Sequence, residues 1–178
     1  SFLNLIKGDM QNHEKYKNKF ITVKYNPWDF KEDKIIGLDL LKSISHELGN
    51  EKELQEKFKG LMVSLQGVDQ SPWYKVIPNL LIGFTTEKSI NDYREEIGKA
   101  LQDQDKKLVI FLDDLDRLDG DEILEVFKTI RNSFDIANTF FILGFDIDYV
   151  VEQIKGKIKG EDGKALGYLD KIFQMLLN

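Results

Sequence analysis

The sequence predicts an α/β protein built on a parallel sheet. Two observations carry that reading: compact β-rich apolar runs at Lys107–Leu112 and Thr139–Phe145, and an amphipathic helical stretch between them. Strand, helix and strand in that order imply a right-handed crossover. A third observation places the chemistry. The first run delivers two adjacent acids, Asp113 and Asp114, to its carboxyl end, which is where open parallel sheets bind ligands.

In chain order, SFLNLIKGDM opens inside an apolar pattern (Phe2, Leu3, Leu5, Ile6) with no cap or turn chemistry ahead of it, so the chain is expected to continue upstream of Ser1. Phe20 to Tyr25 alternates apolar and polar residues as a strand does, and Asn26-Pro27-Trp28 ends it. Ile36, Leu38, Leu40, Leu41, Ile44 and Leu48 recur at helical spacing before a stop at Gly49-Asn50. Residues 51–105 are charge-rich and helical in pattern, and are expected to form a helical insert within a single domain spanning 1–178. Inside it, SPWYKVIPNLLIGF carries Pro72 and Pro78, which break any long helix. That segment is too short to cross a bilayer, so packing within the insert is expected, with a partner patch as the other reading.

Between the two apolar runs, Ile123, Leu124, Phe127 and Ile130 line one face of a helix that starts near Asp119 to Asp121. Asp148 is expected to cap a further helix through Ile154, and Lys155 to Lys164 reads as an exposed loop. Tyr168 to Leu177 turns apolar again, with a periodicity that fits strand or helix.

Composition narrows the function. The 178 residues, 42% hydrophobic, suffice for one sizeable core. Lys and Arg number 25 against 31 Asp and Glu, a net charge of −6 with scattered lysines, so no basic stripe announces nucleic acid. There is no cysteine, and His13 and His46 lie far apart, which argues against disulfide or zinc frameworks. No run reaches the ~20 apolar residues of a transmembrane helix and no secretory signal is present, so a cytoplasmic protein is expected.

The strongest chemical signal is LVIFLDDLDR, Leu108 to Arg117. Burying carboxylates is costly unless a cation or hydrogen bonds compensate, and magnesium on a nucleotide phosphate supplies such a cation. The pattern matches the Walker B form, in which the first acid (Asp113) holds Mg²⁺, usually through water, and the second (Asp114) orients or deprotonates the attacking water. The bland alternative is a loop of solvated aspartates that cap the next helix, which Asp116 and Asp119 fit better. An Asp-rich metal site of the prenyl-diphosphate type is a poorer fit, because such aspartates sit on helices. The Walker A pattern G-x-x-x-x-G-K-[ST] does not occur; Gly160 to Ala165 resembles it only by chance, without the hydroxyl and without a preceding strand. At the end of the 20–25 strand, Asn26 is placed to hold a water and Trp28 to wall the site, with core packing as the alternative for Trp28.

Five blocks resemble the KAP family of P-loop NTPases in order and spacing: SFLNLIKGDM, VKYNPWDF, FLDDLDRLDGDEILEVFKTIR, FILGFDIDYVVEQI and YLDKIFQ. They span nearly the whole chain, and the helical insert is the part least covered. The resemblance implies a three-layer α/β/α fold of the additional-strand type, with the phosphate-binding loop directly ahead of Ser1. It implies that the strand leading to Asp146 lies between the phosphate-loop strand and the strand ending at Asp113. Asp146 then takes the sensor position near the γ-phosphate, with helix capping as its other reading. Ser1 is expected beside the phosphates, Arg117 to anchor the acidic loop through Asp114 or Asp116, and Arg131 or Lys171 to reach a neighbouring subunit's phosphate or to pair at the surface. The expected ligands are ATP and Mg²⁺, and the expected partners are other domains of the same protein and further copies of it. The activity implied is ATP hydrolysis that drives a switch, in a bacterial signalling or phage-defence setting; the competing reading is a scaffold that works through its insert without nucleotide turnover.

Overall fold

The computed structural model describes residues 2–16, 18–29, 36–49, 51–66, 88–133, 135–158 and 165–173. Three strands form one sheet: β1 (Phe20–Tyr25), β2 (Lys107–Leu112) and β3 (Thr139–Leu143), in that spatial order and all parallel. Strand β2 is central, with Leu112 opposite Tyr25 on one side and Leu143 on the other. From Leu108 to Leu112 every residue is buried. Such a run has no polar face because it has no wet face.

The pleat sends its side chains into two separate cores. Val109 and Phe111 join Leu3 of helix α1 (Phe2–Asn12), with Ile6, Met10, Phe20 and Ile142 packed around them. Leu108, Ile110 and Leu112 point the other way, into the main core, with Val23 and Tyr25 of β1. That core is completed by α2 (Ile36–Glu47), α3 (Lys52–Gln66), α4 (Ile90–Asp103), α5 (Gly120–Ser133), α6 (Ile147–Ile154) and α7 (Ala165–Ile172). The result is the expected three-layer α/β/α arrangement, with α1 the one described helix on its side.

The helical insert is no appendage. Leu54, Phe58 and Leu61 of α3 and Ile97 and Leu101 of α4 are fully buried in the same cluster as the sheet residues. Helices α3 and α4 pack on each other so closely that a Cβ at Gly60 would stand 2.2 Å from the Tyr93 ring. Helix α4 is started by a capping box in which Ser89 and Asp92 satisfy each other's backbone amides. SPWYKVIPNLLIGF lies outside the described residues.

Two boundaries differ from the sequence expectation, and one element left open between strand and helix is decided. Strand β3 stops at Leu143 and not at Phe145, because Gly144 and Phe145 carry the chain out of the sheet toward α6. The cap of α6 is Asp146, whose Oδ1 accepts from Tyr149 N at 3.0 Å; Asp148 lies within the first turn. The apolar C-terminal stretch resolves as helix α7 over Ala165–Ile172. The 155–164 loop is described only to residue 158, where Gly156 takes φ +81. Asp119 caps α5 as expected, accepting from the amides of Asp121 (2.8 Å) and Glu122 (3.0 Å), while Glu122 Oε2 returns a bond to Asp119 N.

The packing of α5 on α6 depends on Gly120. A Cβ there would stand 2.1 Å from the backbone oxygen of Gln153, which cannot rotate away. Gly120→Ala is expected to cost about 1–3 kcal/mol of stability. Gly8→Ala in α1, where a Cβ meets nothing within 4 Å, is expected to add about 0.5–1 kcal/mol. Urea unfolding of the two variants beside the parent measures both.

Candidate functional site

Strand β2 ends with its last apolar residue, Leu112, in the core, and Asp113 is the first residue beyond it. Asp113 N donates to Tyr25 O (3.3 Å), so the carboxyl ends of β1 and β2 are tied together at this point. The carboxylate is only 17% exposed. Its Oδ1 accepts from Asp114 N at 3.3 Å, and its Oδ2 faces Lys24 Nζ of β1 at 3.7 Å. Lys24 Nζ also donates to Asn4 Oδ1 of α1 at 3.3 Å. The start of α1, the end of β1 and the end of β2 thus meet around one carboxylate.

Gly144 closes the site from the β3 side. Its N donates to Leu112 O (2.8 Å), and a Cβ on it would stand 3.0 Å from both Asp113 Oδ1 and Leu3 Cδ1. Only a residue without a side chain leaves Asp113 where it is.

Asp114 follows in the left-handed backbone region, at φ 60 and ψ 33. Asp and Asn adopt this region more readily than other side chains, and Asn18, Asp105 and Asn138 share it, so the turn mainly sets the direction of the chain. The turn lifts Asp114 off the strand and starts the short 3₁₀ turn Leu115–Arg117, pinned by the buried Leu115. Arg117 returns to Asp114, with Nη2 3.4 Å from Oδ1. The guanidinium also lies 5.4 Å from the centre of the Trp28 ring. Trp28 is 51% exposed, so the core-packing alternative fails: the indole stands at the sheet's carboxyl edge as a platform for Arg117.

Asn26, at the end of β1, has its Oδ1 buried without a hydrogen-bond partner among the described residues. A buried acceptor left this way calls for a donor such as a bound water. Its neighbour Tyr25 is no candidate base. Burial first, and then the carboxylates of Asp39 and Glu125, push its hydroxyl above the ordinary range and keep it neutral.

Asp146 is exposed and already serves as the α6 cap, so the geometry supplies the capping role, and the hydrogen bond to Tyr149 N holds its carboxylate in place. Ser1 lies outside the described residues, and so does the side chain of Lys171. Arg131 is exposed on α5. Sequence reasoning missed Lys24 and Gly144. Gly144 left a trace, since it interrupts the apolar run from Thr139 to Phe145, whereas Lys24 fits the alternation of its strand and left none.

The donor set suits Mg²⁺. That ion is ordinarily held by one or two carboxylates together with substrate phosphates and water, and Asp113 and Asp114 offer hard carboxylate oxygens at a sheet edge. Among the described residues no cluster of three or more His, Cys, Asp or Glu is arranged to hold an ion by itself. A metal here needs further ligands, and phosphate oxygens are of that kind.

Comparison with known proteins identifies the family. The model of a family described as the KAP family P-loop domain matches residues 1–178. The phage T7 exclusion protein of Escherichia coli strain K12 is 33% identical over 89 residues, half of this chain but 12% of that protein's length. A protein of Methanocaldococcus jannaschii without an assigned function is 23% identical over 172 residues, covering 68% of this chain and 88% of that protein. Among the described residues no helix is long and apolar enough to cross a membrane.

The left-handed backbone at Asp114 separates its structural from its chemical cost. Asp114→Gly removes the left-handed penalty and an exposed ion pair worth little, so stability is expected to stay level or rise by up to about 1 kcal/mol. Asp114→Val, β-branched at positive φ, is expected to lose about 1–3 kcal/mol. Chemical denaturation midpoints of the two variants check the contrast.

Proposed function

We propose that this chain, which belongs to the KAP family of P-loop domains, binds ATP with Mg²⁺ and forms the hydrolytic half of an ATPase. The observation that carries the proposal is the acidic pair at the carboxyl end of a fully buried central strand, with Asp114 held in a left-handed turn beside Asp113. An Mg²⁺ ion, when bound, neutralises charge on the β- and γ-phosphates and polarises the γ-phosphorus for attack.

The chain's own residues do the rest. Asp113 would hold the metal, with its carboxylate fixed by Asp114 N and by the close fit at Gly144. Asp114 aligns the attacking water and accepts its proton as the new P–O bond forms and the bond to the β-phosphate oxygen breaks. Arg117, steadied on Trp28, sets the direction of the Asp114 carboxylate. The orphaned Asn26 Oδ1 is suited to accept from a site water. Asp146 is assigned the sensor position, held for it by its own cap bond.

The pattern G-x-x-x-x-G-K-[ST] does not occur from Ser1 to Asn178, and Ser1 is assigned a place beside the phosphates. We also assign the domain to a larger, self-associating cytoplasmic protein in which Arg131 or Lys171 reaches a neighbour's nucleotide. The likeness to a phage exclusion protein supports a role in defence against phage.

Asp114→Asn in the full-length protein is expected to keep ATP bound while turnover falls by about 10²–10⁴-fold, the usual worth of a positioned base. Radiolabelled ATP retention and phosphate release measure the two quantities on one preparation. Turnover at the parent rate would remove Asp114 from the mechanism.

A further inference from the structure

Lys24 is the one feature of the site that the hydrolytic mechanism leaves unused. It belongs to β1, where it is the register partner of Phe111, and the pleat places Asp113, two residues beyond Phe111, on the same face. Nζ stands 3.7 Å from Asp113 Oδ2, too far for a direct hydrogen bond and close enough for strong attraction. The lysine side chain is 33% exposed and the aspartate 17%, so solvent screens the pair only in part. The two carboxylate oxygens have different surroundings: Oδ1 accepts from Asp114 N and presses against Gly144, while Oδ2 is turned to the ammonium.

We infer that Lys24 is the resident countercation of Asp113, neutralising it in the metal-free protein and giving way when Mg²⁺ arrives. The inference rests on the Mg²⁺-nucleotide reading above and concerns what the chain does before the metal is there. A partly buried carboxylate without a cation is costly. Lys24 covers that cost at rest and therefore competes for Oδ2, since an ammonium and a divalent ion crowded onto one oxygen repel each other. Asn4 Oδ1, already accepting from Nζ at 3.3 Å, offers the ammonium a retreat that needs little movement.

The test uses the full-length protein and its Lys24→Met and Lys24→Arg variants. Calorimetry at fixed ATP, with Mg²⁺ raised from an EDTA-buffered zero, gives the Mg²⁺ concentration for half-maximal nucleotide binding; thermal unfolding in EDTA gives the resting stability. Lys24→Met is expected to need about three- to fivefold less Mg²⁺, the size of a partly screened ion pair, and to melt at a lower temperature without metal. Lys24→Arg, which keeps the charge, is expected to stay near the parent. Should Lys24→Met need as much Mg²⁺ as the parent, or more, the countercation role is overturned, and a requirement for more would identify Lys24 as a phosphate ligand. A parent protein that binds no ATP at any Mg²⁺ concentration overturns the nucleotide reading itself and this inference with it, an outcome visible before any variant is made.

Discussion

The structure turns on the point where β2, dry on both faces, meets water at Asp113. A strand buried from Leu108 to Leu112 has to be apolar throughout, and it has to be sandwiched by helices because neither face can be left to solvent. Its carboxyl end is the first place a charge can stand. A carboxylate at that boundary is neither fully solvated nor fully buried, so the surroundings are built to meet its charge.

Those surroundings come from distant parts of the chain. Lys24 arrives on β1 and Asn4 on α1, Gly144 makes room at the end of β3, and Asp114 N comes from the turn that follows. Asp114 has its own partner in Arg117, which is itself braced on Trp28. Each of the two acids therefore has a cation beside it, and Asp113 also accepts from a backbone amide. Charges placed this way keep their geometry before any ligand arrives, which is the arrangement electrostatic catalysis requires. The left-handed turn at Asp114 fits the same logic: it sets the direction of the chain, and the buried Leu115 holds the turn in place.

Much of this was legible in the sequence because local signals agreed with the global fold. β1 and β2 appear at the residues where alternation and the apolar run put them, and α5 begins at the Asp119 cap that its acidic lead-in announced. What local pattern could not show was register. Lys24 looks like an ordinary strand lysine until pairing with Phe111 brings it to Asp113, and Gly144 looks like a strand end until Leu3 closes on it from α1. Trp28 fitted either a site wall or the core on pattern alone, and the structure leaves it exposed beside Arg117. The insert read as helices within the one domain, and packing reveals that its Phe58 and Ile97 share the sheet's core. Asp146 and Asp148 are equally good caps on paper, and helix phase chose the first.

The central claim is that Asp113 holds the metal through which nucleotide binds. Its most direct measurement is calorimetric titration of ATP into the full-length protein, with and without Mg²⁺, beside the Asp113→Ala variant. Mg²⁺-dependent binding is expected in the parent, and binding that no longer responds to Mg²⁺ in the variant. Equal Mg²⁺-dependence in parent and variant, or a folded parent that binds no ATP, would contradict it.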